Sequence, residues 1–305
     1  MVQKAQQVAL GVATDVISGR LAPGDHVPGV RTLAQQAGCS PGTAARAHTI
    51  LRQAGVTSGT PRSASVVTPD GAARALALSA SEGTVRVSGS DDPALDLLLS
   101  TVGPAVERAS GGRGSVAGLS LLAQGSVDAA AVHLHDARTG RSNDTYARRV
   151  LGGEPAMLVH LWSREQGIVV PKGNPRGIGG VADLDGTRLA WRAPGTGSRL
   201  MLTRLLVEAG VAPPSGELCD SHLGVAVAVT TGAVDAGLAV RSVASAVDAD
   251  FIPLEWEDFE LAVEPESIGL LVPMLDVLAS TSVQDRLTGM DGYDLGRCGQ
   301  TRVAA

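Results

Sequence analysis

Residues 40–46 read Ser-Pro-Gly-Thr-Ala-Ala-Arg, and this short stretch decides how the N-terminal part of the chain folds. Ser40 is a good N-cap, because its hydroxyl can accept a hydrogen bond from a free backbone N–H of the first helical turn. Pro41 suits the first helical position, where the N–H that proline lacks would have no partner. The stretch therefore predicts a helix that runs to about Ala54 and ends at Gly55.

This predicted helix has two different faces. Ala44, His48 and Leu51 share one side at helical spacing, and we expect them to pack inward. The opposite side presents small, hydroxyl-bearing and polar residues, namely Gly42, Thr43, Arg46 and Gln53. A helix that exposes such side chains at its N-terminal end, after a shorter helix and a tight turn, suits the major groove of DNA.

The neighbouring segments complete a compact unit. Apolar residues at helical spacing predict an amphipathic helix over 5–17, and a second, short helix is predicted over Val30–Ala37. After the 40–46 stretch and its helix, residues 56–62 and 64–67 are typical of a β-hairpin. The order of two short helices followed by a hairpin indicates a winged helix-turn-helix.

Charge is distributed unevenly over the 305 residues, whose net charge is −6. The first 70 residues carry six basic and three acidic groups, whereas the remainder carries 19 basic and 28 acidic groups. A small basic segment on a larger acidic body suggests that one part of the chain meets a polyanion. Only seven residues are aromatic, which argues against nucleic-acid recognition by stacking on aromatic platforms.

The N-terminal segments closely resemble the winged helix-turn-helix of GntR-type transcription regulators over about residues 5–67. The resemblance rests on residues 19–28, GRLAPGDHVP, on residues 30–34, VRTLA, and on residues 40–46. Gly29 departs from it, because the family often has serine there. The resemblance implies a homodimer on a near-palindromic DNA operator. Together with the outward face of the helix, it gives the candidate DNA-binding residues Arg31, Ser40, Gly42, Thr43, Arg46 and Arg62.

Residues 68–84 are small and carry little information, so we expect a linker with at most one helical turn. Beyond it, residues 85–88 predict a strand, and Asp92 with Pro93 predicts a capped helix that runs to about Val106. A glycine-rich turn then opens a helix over 116–124, which is followed by a buried strand over 127–132. This alternation predicts an α/β domain with a mainly parallel sheet.

A short internal repeat indicates two similar lobes in this α/β domain. Residues 125–129, Gly-Ser-Val-Asp-Ala, match residues 232–236, Gly-Ala-Val-Asp-Ala, and an apolar strand follows each. His133 and Arg241 lie just beyond the two strands. Because ligands bind at the carboxyl ends of strands in such sheets, these two positions are expected to face a cleft.

The loop Pro194-Gly-Thr-Gly-Ser-Arg199 is the sharpest candidate for a ligand site. Small residues bring backbone N–H groups close together at the start of the following helix, and this arrangement favours an anion. Thr196 and Ser198 add hydroxyl donors. Similar turns at 88–90 and 114–115 open two other helices, so the three turns together could form an oxyanion cage. The alternative is an ordinary capped helix with a solvated arginine.

The chain over about 85–275 resembles type 2 periplasmic-binding-protein folds, in particular those fused to DNA-binding domains or to molybdopterin-biosynthesis proteins. Ser88–Asp91, the repeated Gly-x-Val-Asp-Ala, Arg164–Gly167 and the 194–199 loop carry this resemblance. It implies crossovers near 160–170 and 245–262, a first lobe over about 85–160 and 262–305, and a second over about 170–245. The implied ligand-binding residues, with Gly197 of the same loop, are Ser90, Ser115, His133, Arg164, Thr196, Gly197, Ser198 and Arg199.

These observations predict an α/β chain with three parts: a winged helix-turn-helix over 1–67, a linker over 68–84 and a ligand-sensing domain over 85–305. The predicted function is a ligand-responsive transcription regulator that binds double-stranded DNA and a small anion, with molybdate or tungstate first among the candidates by resemblance. Two alternatives are a small-ligand carrier or storage protein and an enzyme of molybdenum-cofactor assembly. A shift of a specific DNA fragment would separate the regulator from the carrier.

Other classes have little support in the sequence. No nucleophile elbow or phosphate-binding lysine motif appears, so we expect no catalytic residues and no enzyme activity. His133 and His135 lack a nearby third ligand, so no metal site and no cofactor are expected. The acids Glu255, Glu257, Asp258 and Glu260 are expected to form a solvated face. The absence of a long uncharged apolar run excludes a membrane span, and three scattered cysteines indicate a reduced, cytoplasmic protein.

Overall fold

The N-terminal part folds as three helices and a small hairpin. The computed structural model describes residues 2–59, 64–79, 84–136, 141–153 and 155–304. The elements of this part are α1 (Val2–Ile17), α2 (Val30–Gln36), α3 (Pro41–Gln53), β1 (Thr57–Ser58) and β2 (Val66–Val67). The strands β1 and β2 pair antiparallel, which confirms the predicted winged arrangement. The tip of the hairpin, including Arg62, lies outside the described residues.

The start of α3 has the predicted cap. Ser40 accepts a hydrogen bond from the backbone N–H of Thr43 at 3.2 Å, and Pro41 occupies the first helical turn. His48 is buried, as expected, and its Nε2 lies 3.0 Å from the carbonyl oxygen of Pro28. This contact ties α3 to the segment that precedes α2, so it fixes how the two short helices cross.

The predicted linker contains a longer helix than the sequence suggested. α4 (Gly71–Ser79) has nine residues, and it packs on α1 and on the 3₁₀ helix Pro265–Leu271. Ala75 on α4 is fully buried, and the buried residues of α1 belong to the same apolar cluster as residues of the C-terminal part. The expectation of at most one turn was wrong because small residues such as alanine favour helix and allow this close packing.

The C-terminal part is built on one ten-stranded mixed sheet with helices on its faces. The strand order is β10-β9-β11-β8-β12-β5-β3-β4, with β13 and β14 also pairing with β8. The strands are β3 (Val85–Gly89), β4 (Val106–Arg113), β5 (Ala129–Val132), β8 (Met157–Val170), β9 (Leu189–Arg192), β10 (Gly216–Cys219), β11 (Ala236–Val240), β12 (Asp250–Val263), β13 (Tyr293–Asp294) and β14 (Thr301–Val303). A separate pair is formed by β6 (His135–Asp136) and β7 (Arg141–Ser142).

Eight α-helices and three short 3₁₀ helices accompany these strands in the described C-terminal residues. The helices are α5 (Pro93–Val102), α6 (Ser115–Ala123), α7 (Asp144–Val150), α8 (Gly197–Glu208), α9 (His222–Thr230), α10 (Arg241–Ala246), α11 (Val272–Ala279) and α12 (Thr281–Thr288), and the 3₁₀ helices are Gly103–Ala105, Val181–Leu184 and Pro265–Leu271. We call the part around β3, β4, β5 and α5–α7, together with residues 265–304, lobe 1, and the part around β9, β10, β11 and α8–α10 lobe 2.

Two long strands connect the lobes. β8 and β12 pair antiparallel along almost their whole length, from Met157 opposite Val263 to Val170 opposite Asp250. β12 pairs with β5 of lobe 1 at one end, and β8 pairs with β11 of lobe 2 at the other. The crossovers expected near 160–170 and 245–262 are therefore continuous strands. Within each lobe, β3 and β9 pair parallel with both of their neighbours, as predicted.

One predicted boundary was wrong. The helix that Asp92 caps ends at Val102, and the residues from Val106 to Arg113 form β4. Gly103 adopts a positive φ of 72° and Pro104 follows it, so the helix cannot continue. The glycines at the end of this segment therefore belong to an edge strand and do not simply form a loop.

The internal repeat reflects equivalent structure in the two lobes. Asp128 accepts a hydrogen bond from the backbone N–H of Arg86 at 2.8 Å, and Asp235 accepts one from the backbone N–H of Arg188 at 2.7 Å. In both cases an aspartate just before an apolar strand holds the start of the parallel strand beside it. The repeated Val-Asp-Ala is thus a structural clamp that occurs once in each lobe.

No single helix among the described residues is long and apolar enough to cross a membrane. The stretch Pro265–Ala279 together with Thr281–Thr288 meets the length and composition requirements only as a pair, and the pair is bent by 68°.

The contact between α4 and the 3₁₀ helix Pro265–Leu271 can be tested with Gly269→Ala. A Cβ at Gly269 would collide with the carbonyl of Ser79 at the end of α4. We expect the free energy of unfolding, measured by urea denaturation, to fall by about 1–3 kcal/mol. Gly11→Ala is the matched control, because an added Cβ there meets nothing within 4 Å in the middle of α1. It should stabilise the chain by about 0.5–1 kcal/mol. Equal effects of the two substitutions would contradict the described contact.

Candidate functional site

The N-terminal ends of four helices meet where the two lobes touch. The hydroxyl oxygens of Ser90, before α5, and Ser115, at the start of α6, lie 2.8 Å apart. Across the cleft, a Cβ at Gly114 would lie 3.0 Å from Cγ2 of Thr196, which caps α8. Asp91 accepts a hydrogen bond from the backbone N–H of His222, the first residue of α9, at 3.1 Å. The structure is therefore closed, with both lobes in contact.

The hydroxyl groups predicted to form an oxyanion cage are buried and bonded within the protein. The Ser115 hydroxyl accepts a hydrogen bond from the backbone N–H of His133 at 3.1 Å. Thr196 accepts one from the backbone N–H of Arg199, and Ser198 accepts one from the side chain of Gln166 at 3.1 Å. These groups lie at the seam between the lobes, and their role as ligand contacts remains a prediction.

Gly197 and Arg199 have different surroundings, although both belong to the 194–199 loop. Gly197 lies against His133, and a Cβ there would collide with the imidazole, so only glycine allows this approach of the lobes. The guanidinium of Arg199 stacks on the ring of Trp191, 3.9 Å from its centroid. Among the described residues the Arg199 guanidinium has no other partner. The structure thus places Arg199 beside the seam and not among the residues that join the lobes.

Arg164, predicted from resemblance, lies at the centre of the seam and is completely buried. Its Nη1 is 2.5 Å from Asp92 of lobe 1, and its Nε is 2.8 Å from Glu257 on β12. Tyr293 donates a hydrogen bond to Asp92 at 3.1 Å. Since Asp92 also caps α5, one guanidinium connects a helix of lobe 1 to both connecting strands.

Six residues surround Arg164, and none of the six was predicted as a ligand residue. Together with Arg164 they form what we call the interlobe cluster, and they are Asp91, Asp92, Gln166, Arg192, His222 and Glu257. Arg192 Nη2 lies 2.5 Å from Asp91, which ties lobe 2 to lobe 1. Arg192 ends β9, so the rule that ligands bind at the carboxyl ends of strands could have found it.

The acidic segment of β12 is not the solvated face that the sequence suggested. Glu260 is buried and pairs with Arg302, and the side chain of Glu257 is only 15% exposed. Both carboxylates face partners that are distant in sequence, and the acidic pattern alone gave no sign of these partners. Of the four acids, Glu255 pairs with Arg204, and Asp258 pairs with Arg297.

The charges in the interlobe cluster shift several pKa values. Burial opposes ionisation of Glu257, but His133 and Arg164 outweigh it and lower the pKa of Glu257 to about 2. Burial likewise opposes the charge of Asp91, yet His222 and Arg192 hold its pKa well below the usual range. Burial raises the pKa of Asp92 in spite of Arg164. For His222, burial lowers the pKa well below the ordinary value, so its imidazole is neutral at pH 7.

Several buried polar atoms of the interlobe cluster have no hydrogen-bond partner among the residues that the structure describes. They are Nη2 of Arg164, Nε of Arg192, Oε1 of Gln166 and both ring nitrogens of His222. Buried polar atoms are rarely left without a partner, because such burial costs about 1–3 kcal/mol for each group. Two guanidinium N–H donors and an imidazole that can donate suit an anionic group of a bound ligand.

One group of residues could hold a metal by distance alone. The ligand atoms of His160, Asp258 and Glu260 lie within 4.8 Å of one another. Arg297 and Arg302 already pair with the two carboxylates, so a cation there would have to compete with two guanidinium groups. His133 is buried, and His135 is exposed.

The candidate DNA-binding residues lie on the surface of the N-terminal part. Arg31, Ser40, Gly42 and Arg46 are exposed, and Thr43 is half-buried. The Ser40 and Thr43 hydroxyl oxygens lie 2.9 Å apart at the start of α3. These side chains are free to meet a ligand of the size of DNA, and their contacts with it remain a prediction.

Comparisons with known proteins agree with both parts of the chain. Residues 98–277 match the PBP superfamily domain, and residues 4–67 match the bacterial regulatory proteins of the gntR family. Uncharacterized protein YvgK of Bacillus subtilis (strain 168) is 34% identical over 188 residues, 60% of this chain. The chain covers 61% of the length of that relative.

Two solved structures are similar at low identity. PhnD1 from Prochlorococcus marinus (MIT 9301), in complex with methylphosphonate, is 15% identical, with a TM-score of 0.47 over 71% of this chain and 94% of PhnD1. The regulatory domain of CcmR from Synechocystis PCC6803, in complex with 2-PG, is 10% identical, with a TM-score of 0.48 over 66% of this chain and 99% of that domain.

The lowered pKa of His222 predicts that stability falls in mild acid. The unfolded chain takes up a proton near the ordinary pKa of 6.5, whereas the buried imidazole does so only at lower pH. The contribution of His222 is therefore complete above about pH 6.5 and is lost as the pH falls, with a slope of up to about 1.4 kcal/mol per pH unit. Urea denaturation between about pH 7.5 and 5.5 would measure it, above the range in which carboxylates titrate.

The matched variants for this measurement are His222→Gln and His135→Gln. His222→Gln should reduce the slope of unfolding free energy against pH, because it removes the buried imidazole. His135 is exposed, so His135→Gln should leave the slope as it is in the unmodified chain. An unchanged slope in His222→Gln would show that His222 is not the neutral, buried group described above.

Proposed function

Because this chain belongs to the PBP superfamily and carries a domain of the bacterial gntR regulatory family, we propose that it is a transcription regulator whose DNA binding responds to a small ligand. The C-terminal part binds the ligand between its lobes, and the N-terminal part binds double-stranded DNA. The observation that carries the proposal is the set of unpartnered buried donors in the interlobe cluster, on Arg164, Arg192 and His222. The pairing of these two domains supports a regulator without catalytic activity.

The donors of the interlobe cluster favour an anionic group on the ligand. Arg164 Nη2 and Arg192 Nε come from a connecting strand and from lobe 2, so an anion between them would hold the lobes together. The start of α6 has no side-chain cap, which leaves its positive end available as well. Molybdate and tungstate are the first candidates, and sulfate-like anions and small carboxylates follow.

Closure of the lobes is the proposed route from ligand to DNA. α4 joins the N-terminal helices to the 3₁₀ helix Pro265–Leu271, and the Thr301 hydroxyl donates to the carbonyl of Ile17 at the end of α1. The N-terminal part is therefore packed on lobe 1, and lobe 2 is attached through β8 and β12. A ligand that favours the closed form shifts the balance between the two arrangements, and DNA and ligand then change each other's affinity by the same factor.

On the DNA side, the proposal assigns the contacts to the N-terminal end of α3. Arg46 and Thr43 would face the major groove, and Arg31 on α2 would contact the backbone phosphates. Two copies of the chain on a near-palindromic site would give two such helices. The proposal therefore includes a homodimer.

The double variant Arg31→Ala/Arg46→Ala tests the DNA interface. We expect it to weaken operator binding by about 1–3 kcal/mol for a base contact of Arg46, and more if Arg31 neutralises a phosphate. The binding of the unmodified chain should also weaken as salt is raised. Fluorescence anisotropy with a labelled operator fragment measures both. The control is Arg286→Ala, an exposed arginine on α12. Equal affinities of the two variants would rule out this interface.

Two arginines seven residues apart test the ligand site. Arg192→Met removes a donor of the interlobe cluster, whereas Arg199→Met removes the guanidinium that stacks on Trp191. The test is a calorimetric titration with molybdate, tungstate, sulfate and phosphate. Arg192→Met should weaken binding of the anion by about 1.5–3 kcal/mol, which is a tenfold or larger increase in the dissociation constant. Arg199→Met should bind as the unmodified chain does. The reverse order would favour the 194–199 loop as the ligand site, and no binding of any of the four would exclude an inorganic oxyanion.

A further inference from the structure

A pocket of about 420 Å³ adjoins the interlobe cluster, because Glu257 belongs to the cluster and also lines the pocket. Lobe 1 contributes the segment His133–Asp136 and part of α7, lobe 2 contributes one side of α8, and β12 contributes the segment Glu255–Asp258. We call it the interlobe pocket. Its volume falls in the range of pockets that hold small organic molecules. Because both lobes line it, its shape depends on how closed they are.

Glu257 gives the lining of the interlobe pocket an acceptor that no described residue uses. Arg164 Nε, Gln166 Nε2 and His133 Nδ1 approach the same oxygen, Oε1, at 2.8, 2.6 and 2.9 Å. No donor from the described residues reaches Oε2. The carboxylate is ionised at neutral pH, since its pKa is lowered to about 2. A charged oxygen in the lining of a pocket, with no donor among the described residues, suits a hydrogen-bond donor on a ligand.

Part of the wall of the interlobe pocket is apolar and aromatic. Met201 and Leu200 come from α8, Tyr146 from α7 and Trp256 from β12. Trp256 is 54% exposed and Leu200 is 42% exposed, although both are large apolar side chains. An organic body in the pocket would cover this surface, and the aromatic rings could face a cation.

The charges of the lining residues point to the same class of ligand. Four carboxylates and the guanidinium of Arg204 are among the described residues that line the interlobe pocket. Arginines outside the lining pair with two of these carboxylates, Arg164 with Glu257 and Arg297 with Asp258. Arg204 is already bonded to both carboxylate oxygens of Glu255 at 2.7 Å. Burial lowers the pKa of His133, so this imidazole adds no positive charge at neutral pH. The described lining therefore offers an anion no unpaired guanidinium, whereas Glu257 Oε2 remains open to a protonated nitrogen.

We propose that the interlobe pocket binds a small organic amine, whose protonated nitrogen donates to Glu257 Oε2 while its apolar or aromatic body lies against Met201, Leu200 and Trp256. This site goes beyond the anion-binding function proposed above, because it takes the opposite charge and a larger body. The amine is either a separate molecule or a second group on the anionic effector. In both cases it contacts both lobes, so it stabilises the closed form.

Calorimetric titration of the full chain with phenethylamine and with 2-phenylethanol separates charge from shape. The two probes share the same aromatic body, and only the first carries a protonated nitrogen at neutral pH. We expect millimolar or tighter binding of phenethylamine and at least about tenfold weaker binding of the alcohol. Equal affinities, or no binding of phenethylamine at millimolar concentration, would overturn the proposal. L-Phenylalanine as a third probe distinguishes the two sources, since tighter binding than phenethylamine would place the amine and the anionic group on one molecule.

Two exposed side chains provide matched variants. Trp256→Ala removes an aromatic wall of the interlobe pocket, and Val207→Ala changes a 73% exposed residue of α8 that does not line it. Both positions are exposed, so both variants should fold, and thermal melting checks this. We expect Trp256→Ala to bind phenethylamine about fivefold or more weakly and Val207→Ala to bind as before. Equal binding by both variants would refute the proposed location. A molybdate titration of the same samples tests the anion site separately. Failure of the amine proposal therefore does not overturn the anion proposal, and the reverse also holds.

Discussion

The completely buried guanidinium of Arg164 is the constraint on which the C-terminal part depends. A buried charge is tolerated only when it is paired and hydrogen-bonded, and removing one partner of such a pair costs about 3–5 kcal/mol. Arg164 meets this requirement with Asp92 and Glu257, which are 72 and 93 residues away in sequence. The cap of α5, the register of β8 against β12 and the placement of Tyr293 all have to agree before these pairs can form.

The same chemistry extends from Arg164 to the contact between the lobes. Asp91 is adjacent in sequence to Asp92, and it binds Arg192 and the first N–H of α9. Two consecutive aspartates thus have different partners. Asp92 pairs with Arg164 of a connecting strand, and Asp91 pairs with Arg192 of lobe 2. Charges that stabilise the fold and charges that hold the lobes together form one continuous network. A ligand that enters the interlobe cluster acts on both at once.

Local sequence patterns predicted the features that depend on near neighbours. The Ser40 cap, the buried His48 and the repeated Val-Asp-Ala were all visible, because each is set by residues close in the chain or by a pattern that recurs. That the repeated aspartate holds the neighbouring strand was seen only in the structure. Arg192 and Glu257 were missed because their partners are about a hundred residues away. Arg199 stays a predicted ligand contact, and its stacking on Trp191 could not be predicted because that contact depends on how the loop folds back on the preceding strand. The length of α4 was missed because its packing on α1 and on the 3₁₀ helix Pro265–Leu271 leaves no local pattern in the sequence.

The apolar cluster that runs without a break from α1 through α4 into lobe 1 has a consequence for how such a chain can be recombined. A sensor fused by a flexible tether can be exchanged between DNA-binding modules by cutting the tether. Here the junction is itself part of a core, because Val12 and Val16 of α1 belong to the same cluster as Ile268 and Leu271. A chimera that takes only one side would leave apolar surface of both pieces in water. Exchange of the sensor therefore requires that α1 and α4 move with it, or that the new partner supplies a matching surface.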